Sequence, residues 1–162
     1  MAVDVFFPAL EKLLDCARQA VSPLPGRVLV VPGAAVAWDD CCDGQLWTRL
    51  VTVLPQGAAN GQITQPCGVL LWQAVLGVGV LRCAATVDDN GVAPSPAVLS
   101  AEANQMTADA SALNEAIHCC FAPLPEYERR VRIVRWDPLG PDGGCVGGEW
   151  QITVLLDNCR CD

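Results

Sequence analysis

The stretch that decides the fold is PCGVLLWQAVLGVGVLRCAATV, from Pro66 to Val87. Its fifteen residues from Cys67 to Leu81 carry no charge and only one polar side chain, that of Gln73. A membrane-spanning helix needs about 20 apolar residues, so this segment is too short for one. Gly77 and Gly79 would each weaken a helix by about 1 kcal/mol, whereas the valines favour a strand because a branched Cβ restricts χ1. The segment therefore predicts a long strand with a bend at the two glycines.

A strand of this length has consequences for how the chain is used. At about 3.3 Å per residue, fifteen residues would extend about 50 Å, far beyond the usual strand of about 5–6 residues. Such a strand either projects from its domain or is buried on both faces between layers. Both arrangements favour a partner subunit.

Hydrophobic periodicity predicts the remaining elements on either side of this strand. The connection from Pro55 to Pro66 contains Asn60-Gly61, a dipeptide that favours tight turns, so the strands that flank it form an extended hairpin. Strands joined by hairpins, with helices between them, indicate an α+β fold. We expect one domain over residues 1–162, with a twisted antiparallel or mixed sheet of about five strands, two amphipathic helices on one face and a long protruding β-hairpin. The predicted elements are a helix from Val3 to Ala20 capped by Asp4, strands Arg27–Val31, Leu46–Leu54 and Cys67–Leu81, a helix from Ala101 to Phe121 capped by Ser100, and strands Arg129–Trp136 and Glu149–Leu156.

Composition and charge restrict the class of protein. The 162 residues are 52% hydrophobic, enough for a single domain with a real core. The formal net charge of −8 argues against a general binder of the phosphate backbone. The start, MAVDVFFPALEKLLD, has neither a basic region nor a small-residue cleavage site. We therefore expect a protein used in the cytosol, or exported only within a larger particle.

Ten cysteines are unusual in such a protein and have three interpretations. A secreted disulfide framework is disfavoured by the length and by the lack of a signal peptide. A structural zinc site is disfavoured because no C-x2-C pair is present. We favour small buried hydrophobic side chains for most of them, with one or two oxidisable pairs. The cysteines are Cys16, Cys41, Cys42, Cys67, Cys83, Cys119, Cys120, Cys145, Cys159 and Cys161.

The sequence predicts no catalytic residue, no cofactor and no metal site. His118, the only histidine, stands beside Cys119 and Cys120 on a helix, where adjacent residues do not face each other. A C-x-x-C motif, a glycine-rich phosphate loop and a G-x-S-x-G elbow are all missing. The acidic residues around Cys41 match no calcium loop and indicate a solvated loop: Asp39, Asp40 and Asp43.

Four arginines fall within seven positions near the C-terminal hairpin. They could form salt links within the chain or with a neighbouring subunit, or contact phosphate. We favour the salt links, because the interleaved aromatic residues of a single-strand binder are missing. They are Arg129, Arg130, Arg132 and Arg135, and Arg130 and Arg132 point the same way on a strand.

Local strings such as VVPGAAVAWDDCCDGQLWTRLV, from Val30 to Val51, resemble neck or terminator proteins of actinobacterial phages. The element order and the long hairpin, over Val3 to Leu156, are similar to the tail terminators of long-tailed, non-contractile phages. The resemblance implies a homo-oligomeric ring, a hexamer, that caps the tail tube and then joins the tail to the head. Its implied partners are the major tail tube protein and the head-closure or adaptor proteins of the neck. DNA would pass through the lumen without sequence-specific binding, with no membrane involved, in a virion assembled in the host cytoplasm.

The resemblance also implies where the ring contacts lie: the hairpin tip, the edges of the second and third strands, and the loop from Asp88 to Val98. Two other neck roles, head closure and adaptor, remain open as alternatives, as do a cysteine- or metal-dependent enzyme and a secreted disulfide-stapled binder. The candidate interface residues are Gln56, Asn60, Gln62, Gln65, Leu71, Val75, Asp88, Asp89, Arg130 and Arg132.

Overall fold

The computed structural model describes residues 4–33, 36–38, 41–56, 70–121 and 131–158. Its order of elements confirms the predicted helix, three strands, helix and two strands, and hence the α+β class. The elements are α1 (Phe6–Ala20), β1 (Arg27–Val31), β2 (Gln45–Gln56), β3 (Leu70–Cys83), α2 (Pro96–Phe121), β4 (Val131–Asp142) and β5 (Cys145–Asn158).

The strands form one five-stranded mixed sheet in the order β1-β2-β3-β5-β4. β1 runs parallel to β2, and the other neighbours are antiparallel. The apolar stretch of the sequence is the central strand, β3, which pairs with β5 along all fourteen residues. On its helix-facing side Ala74, Leu76, Val78 and Val80 are fully buried. The prediction of a long buried strand is therefore confirmed.

The two glycines of β3 do not interrupt the sheet. The pairing of β3 with β2 and with β5 continues through Gly77 and Gly79 without a register shift. The irregularity in this part of the sheet lies in β2 instead, between Leu50 and Thr52. The strand pairing is therefore regular at the two glycines, where the sequence predicted a bend.

The predicted hairpin is observed only as a pair of strands. β2 and β3 stay antiparallel as far as Gln56, which is the register partner of Leu71. Residues 57–69, which include the predicted Asn60-Gly61 turn, lie outside the described residues. The protruding hairpin therefore stays a prediction.

Both helices pack on the same face of the sheet and against each other. The main core joins Leu13 of α1 and Leu113 of α2 to Leu46, Leu76 and Ile152 of the central strands. All five of these side chains are fully buried. The core thus lies between the two helices and the face of the sheet that holds the even-numbered residues of β3.

The helix starts differ from the predicted ones. The Asp4 carboxylate accepts hydrogen bonds from the N–H groups of Phe6 at 2.9 Å and Phe7 at 3.2 Å, which confirms its capping role, although α1 begins at Phe6. α2 begins five residues earlier than predicted, because the Ser95 hydroxyl accepts the Val98 N–H. Ser95 is followed by proline, which suits the first position of a helix.

The C-terminal hairpin is longer than its sequence suggests. Most of DPLGPDGGCVGG, predicted as a loop, belongs to β4 and β5, and the turn is reduced to Gly143-Gly144. Both turn glycines have positive φ, 57° and 78°, as two-residue hairpin turns require. Pro138 and Pro141 are tolerated because β4 is an edge strand.

Candidate assembly surface

The sheet face opposite the helices is divided into two halves. Over the half near Cys83 and Cys145, Trp47 and Leu81 form a second cluster that excludes solvent. Chain segments after β1 cover this cluster through partly buried Val36 and Trp38 and through buried Cys41. This half of the face is therefore covered by the segment that follows β1.

A buried ion pair lies at the inner border of that covered half. The Glu149 carboxylate contacts the Arg49 guanidinium at 2.7 Å through both of its oxygens, and it accepts the indole N–H of Trp47 at 2.8 Å. The side chain of Glu149 is only 4% exposed. Its hydrogen bonds raise the pKa of Arg49 above the ordinary value, against the opposing effect of burial. Alternation with the inward Trp150 and Ile152 predicts an outward Glu149 on this strand. Glu149 does point away from the helices, but it is buried because Trp47 and Arg49 enclose it.

The other half of this face, toward the Leu70 end of β3, carries exposed and half-buried side chains. One row of register partners crosses four strands in the order Thr52, Val75, Thr153 and Arg132. Leu54, Gln73 and Leu155 form the next row on the same face. Leu54 is 50% exposed, Thr52 and Arg132 are exposed, and the others are half-buried. We call these seven residues the open patch.

The structure brings some of the predicted interface residues together. Val75 and Arg132 both belong to the open patch, on one row of the sheet. The backbones of Gln56 and Leu71 pair two register positions beyond Leu54 and Gln73, at the end of β2 and β3. The remaining predicted residues of this group lie outside the described residues: Asn60, Gln62, Gln65 and Arg130.

Asp88 and Asp89 do not join this group. They lie in the segment that follows β3 at its Cys83 end, whereas the open patch lies toward the Leu70 end. The Asp88 carboxylate accepts the N–H groups of Val92 at 2.8 Å and Asn90 at 2.9 Å. These bonds, that of Val92 foremost, lower the pKa of Asp88. Asp88 and Asp89 therefore form an exposed acidic site that is separate from the open patch.

The open patch contains residues that the sequence did not single out: Thr52, Leu54, Gln73, Thr153 and Leu155. Alternation along each strand predicts which side chains share a face, but the patch also depends on strand order. Arg132 lies beside Thr153 only because β4 is paired with β5 at the sheet edge. No local sequence signal specifies that neighbour.

The arginines near the C-terminal hairpin make the predicted salt links in part. Arg135 contacts Asp137 at 2.9 Å, with both side chains exposed. A buried link elsewhere was not predicted: Arg82 of β3 contacts Asp109 of α2 at 2.6 Å, with Asp109 only 3% exposed. This second link attaches α2 to the central strand.

Six cysteines form three disulfides, more than the one or two pairs predicted. Cys16–Cys120 joins α1 to α2, while Cys41–Cys145 and Cys42–Cys83 attach the segment after β1 to the ends of β5 and β3. Cys119 is an exposed free thiol. The partners are separated by 104, 104 and 41 residues, so spacing in the sequence could not reveal them. Cys67, Cys159 and Cys161 lie outside the described residues.

The residues considered for chemistry are the histidine and the possible metal ligands. His118 is exposed on α2. Within the described ranges, no group of three or more His, Cys, Asp or Glu side chains is placed to hold a metal ion. Of the two helices described, neither combines the length and hydrophobicity needed to cross a membrane.

Comparison with known proteins identifies no relative: no family model matches the chain, and no curated protein matches it either.

Proposed function

We propose that this protein is a structural component of a phage virion, a tail terminator. Copies form a ring that caps the tail tube and joins the tail to the connector in the neck. The observation that carries the proposal is the open patch, a group of exposed and half-buried side chains on one half of a sheet face, beside a fourteen-residue central strand. The five-stranded mixed sheet with both helices on one face supports the proposal, because the sequence resemblance implies a sheet with two helices on one side.

The composition of the open patch suits a contact with a second copy. Leu54, Val75 and Leu155 would supply apolar contacts around an uncharged centre that also holds Gln73 and Thr153, and Thr52 and Arg132 would form a polar rim. Protein interfaces have this arrangement, with charged residues depleted from the centre. Covering Leu54, which is 50% exposed, would remove a large apolar side chain from water.

The position of the acidic site favours a ring over a two-fold dimer. Arg132 lies in the open patch, whereas Asp88 and Asp89 follow the opposite end of β3. A head-to-tail contact places the open patch of one copy against the acidic site of the next and satisfies both charges. Repeated contacts of this kind close into a ring when the rotation between copies allows it.

The net charge suits a ring through which DNA passes. With a formal charge of −8, the protein repels phosphates on average, so a DNA strand would not adhere to its lumen. A lumen that proved uncharged or basic would contradict this part of the proposal.

The experiment is capping of the tail tube. The purified protein would be added to polymerising tube protein encoded in the same genome, and tube lengths measured by electron microscopy. We expect short tubes with a ring at one end, and unrestricted tubes with Leu54→Asp. Leu24→Asp is the matched control, because Leu24 is 45% exposed but lies outside the open patch. Binding to neck proteins without binding to tubes would assign the head-closure or adaptor role instead, and a monomer that turns over a substrate would exclude both.

A further inference from the structure

The two disulfides at the Cys83 end of the sheet share one cluster of four sulfur atoms. Cys41 and Cys42 are adjacent in the chain, and their partners, Cys145 and Cys83, are register partners on β5 and β3. Side chains of directly opposed residues point to the same face of a sheet. Cys83 and Cys145 are therefore close to each other as well as to their own disulfide partners.

The sheet geometry makes a bond between Cys83 and Cys145 feasible. The Ala84 N–H donates to the Gly144 carbonyl at 2.7 Å, in the next position of the same register. Hydrogen-bonded and non-hydrogen-bonded pairs alternate along an antiparallel ladder, which makes Cys83 and Cys145 a non-hydrogen-bonded pair, with Cα atoms about 4.5 Å apart. Disulfides span Cα distances of about 4.4–6.8 Å. A disulfide between Cys83 and Cys145 can therefore form without movement of the two strands.

The two existing bonds differ in access to solvent. Cys42 and Cys83 are both exposed. Cys41 is 8% and Cys145 only 2% exposed. A small thiol in solution can reach the outer bond, Cys42–Cys83, whereas the inner bond, Cys41–Cys145, is shielded by the second cluster.

We propose that this four-cysteine cluster is a thiol-responsive clasp, in which attack on the outer disulfide is relayed to the inner one. A small monothiol such as glutathione, as its thiolate, attacks the Cys42 sulfur, forms a mixed disulfide and releases the Cys83 thiolate. The Cys83 thiolate attacks the Cys145 sulfur, forms Cys83–Cys145 and expels the Cys41 thiolate, which takes a proton from water. A second monothiol reduces the mixed disulfide, which leaves Cys42 as a thiol and releases the oxidised dimer of the monothiol.

The relay would break both disulfides that attach the segment after β1 to the sheet, while the strand pairing of the sheet stays intact. After the relay the segment that holds Cys41 and Cys42 is no longer linked to β3 and β5, while a new bond links those two strands directly. The cover over Trp47 and Leu81 would then depend on packing and on hydrogen bonds such as that from the Gln45 amide to the Ala37 carbonyl at 3.3 Å. This inference is independent of the proposed function, because it needs no partner subunit.

The test isolates the second step with Cys42→Ser, which leaves the Cys83 thiol unpaired without any added monothiol. Peptide mapping after alkylation should find Cys83 linked to Cys145 and Cys41 alkylated. A Cys41–Cys145 bond that persists beside an alkylated Cys83 would overturn the relay. Cys120→Ser is the control: it frees Cys16 on the helix side of the sheet and should leave both bonds of the cluster intact.

A second measurement keeps the test decisive if Cys42→Ser does not fold. The wild-type protein would be exposed to limiting glutathione, quenched with acid at intervals, alkylated and mapped. Molecules that carry Cys83–Cys145 together with a free Cys41 thiol should accumulate before the cluster is fully reduced, and before a free Cys41 thiol appears in molecules with the outer bond intact. Opening of the outer bond alone, with Cys41–Cys145 unchanged throughout, would overturn the proposal.

Discussion

Gly77 of β3 lies directly beneath the carboxylate of Glu149 on β5. A Cβ built on Gly77 would stand 2.7 Å from the carboxyl carbon, closer than real Cβ contacts allow. Gly79 makes similar room for the ring of Trp47. The two glycines of the central strand thus leave the space that the buried side chains of Trp47 and Glu149 occupy.

We expect Gly77→Ala to lower the free energy of unfolding by about 1–3 kcal/mol, because overpacking forces the carboxylate off its partners. Combined with Glu149→Ala, the same substitution should cost much less, since the obstructing side chain is gone. Denaturant unfolding of the two single variants and the double variant would measure this coupling. If the stability losses of the two single variants add up to that of the double variant, Gly77→Ala and the Glu149 side chain do not compete for space.

Val75→Asp tests assembly rather than folding. Val75 is half-buried in the open patch, two residues from Gly77 on the same face. We expect the variant to stay folded, by circular dichroism, but to remain a monomer in sedimentation, because a charge at the uncharged centre of a contact must be desolvated. A variant that still assembles at the wild-type concentration would remove Val75 from the interface.

Glu149→Gln should destabilise the protein by roughly 3 kcal/mol, because it leaves the guanidinium of Arg49 without a charged partner in a site where both side chains are largely shielded. Asp137→Asn is the matched control. Asp137 is the register partner of Glu149, but its link to Arg135 is exposed, so its loss should change the stability by less than about 0.5 kcal/mol. Thermal or urea unfolding of the two variants measures the contrast, and equal costs would contradict the assigned burial.

A charge exchange tests the head-to-tail contact. Arg132→Asp and Asp89→Arg should each weaken ring formation, because each places like charges across the contact. The double variant should recover assembly, because the attraction is restored with its sign reversed. Arg18→Asp, at an exposed position of α1, is the control for overall charge. Failure of the double variant to recover in analytical ultracentrifugation would argue against this pairing.

Acid should loosen the turn that Asp88 holds. Its pKa is lowered in the folded protein, so the stability that it contributes is present above the ordinary aspartate pKa of about 3.9 and is lost as the pH falls through the lower, folded value. Nuclear magnetic resonance of the Val92 amide should therefore show a titration midpoint below that ordinary value. Asp88→Asn should abolish this titration, and an unshifted midpoint would contradict the role of the carboxylate.

The sequence predicted the elements whose periodicity is complete within a few residues. The apolar length of β3 identified the central strand, and the alternation of Trp150, Ile152 and Val154 identified the inner face of β5. Predictions from local sequence failed where the structure depends on pairing with a strand that is distant in the sequence. The connection predicted between Trp136 and Glu149 lies mostly in β4 and β5, where Pro138 and Pro141 are accommodated because β4 is an edge strand.

The candidate surface was predictable only in part for the same reason. Arg132 and Val75 were singled out separately, and nothing local indicated that Thr153 stands between them on one row. Glu149 alternated as an outward residue, but its burial depends on Trp47, 102 residues away. The disulfides of Cys41 and Cys42 likewise depend on the register that aligns Cys83 with Cys145.

The native mass of the purified protein, measured by mass spectrometry or light scattering at micromolar concentration, tests the central claim most directly. The account predicts a closed assembly of several copies, a hexamer, that dissociates into folded monomers when Leu54 is replaced by Asp. A wild-type protein that remains a single 17.2 kDa chain under these conditions would contradict it.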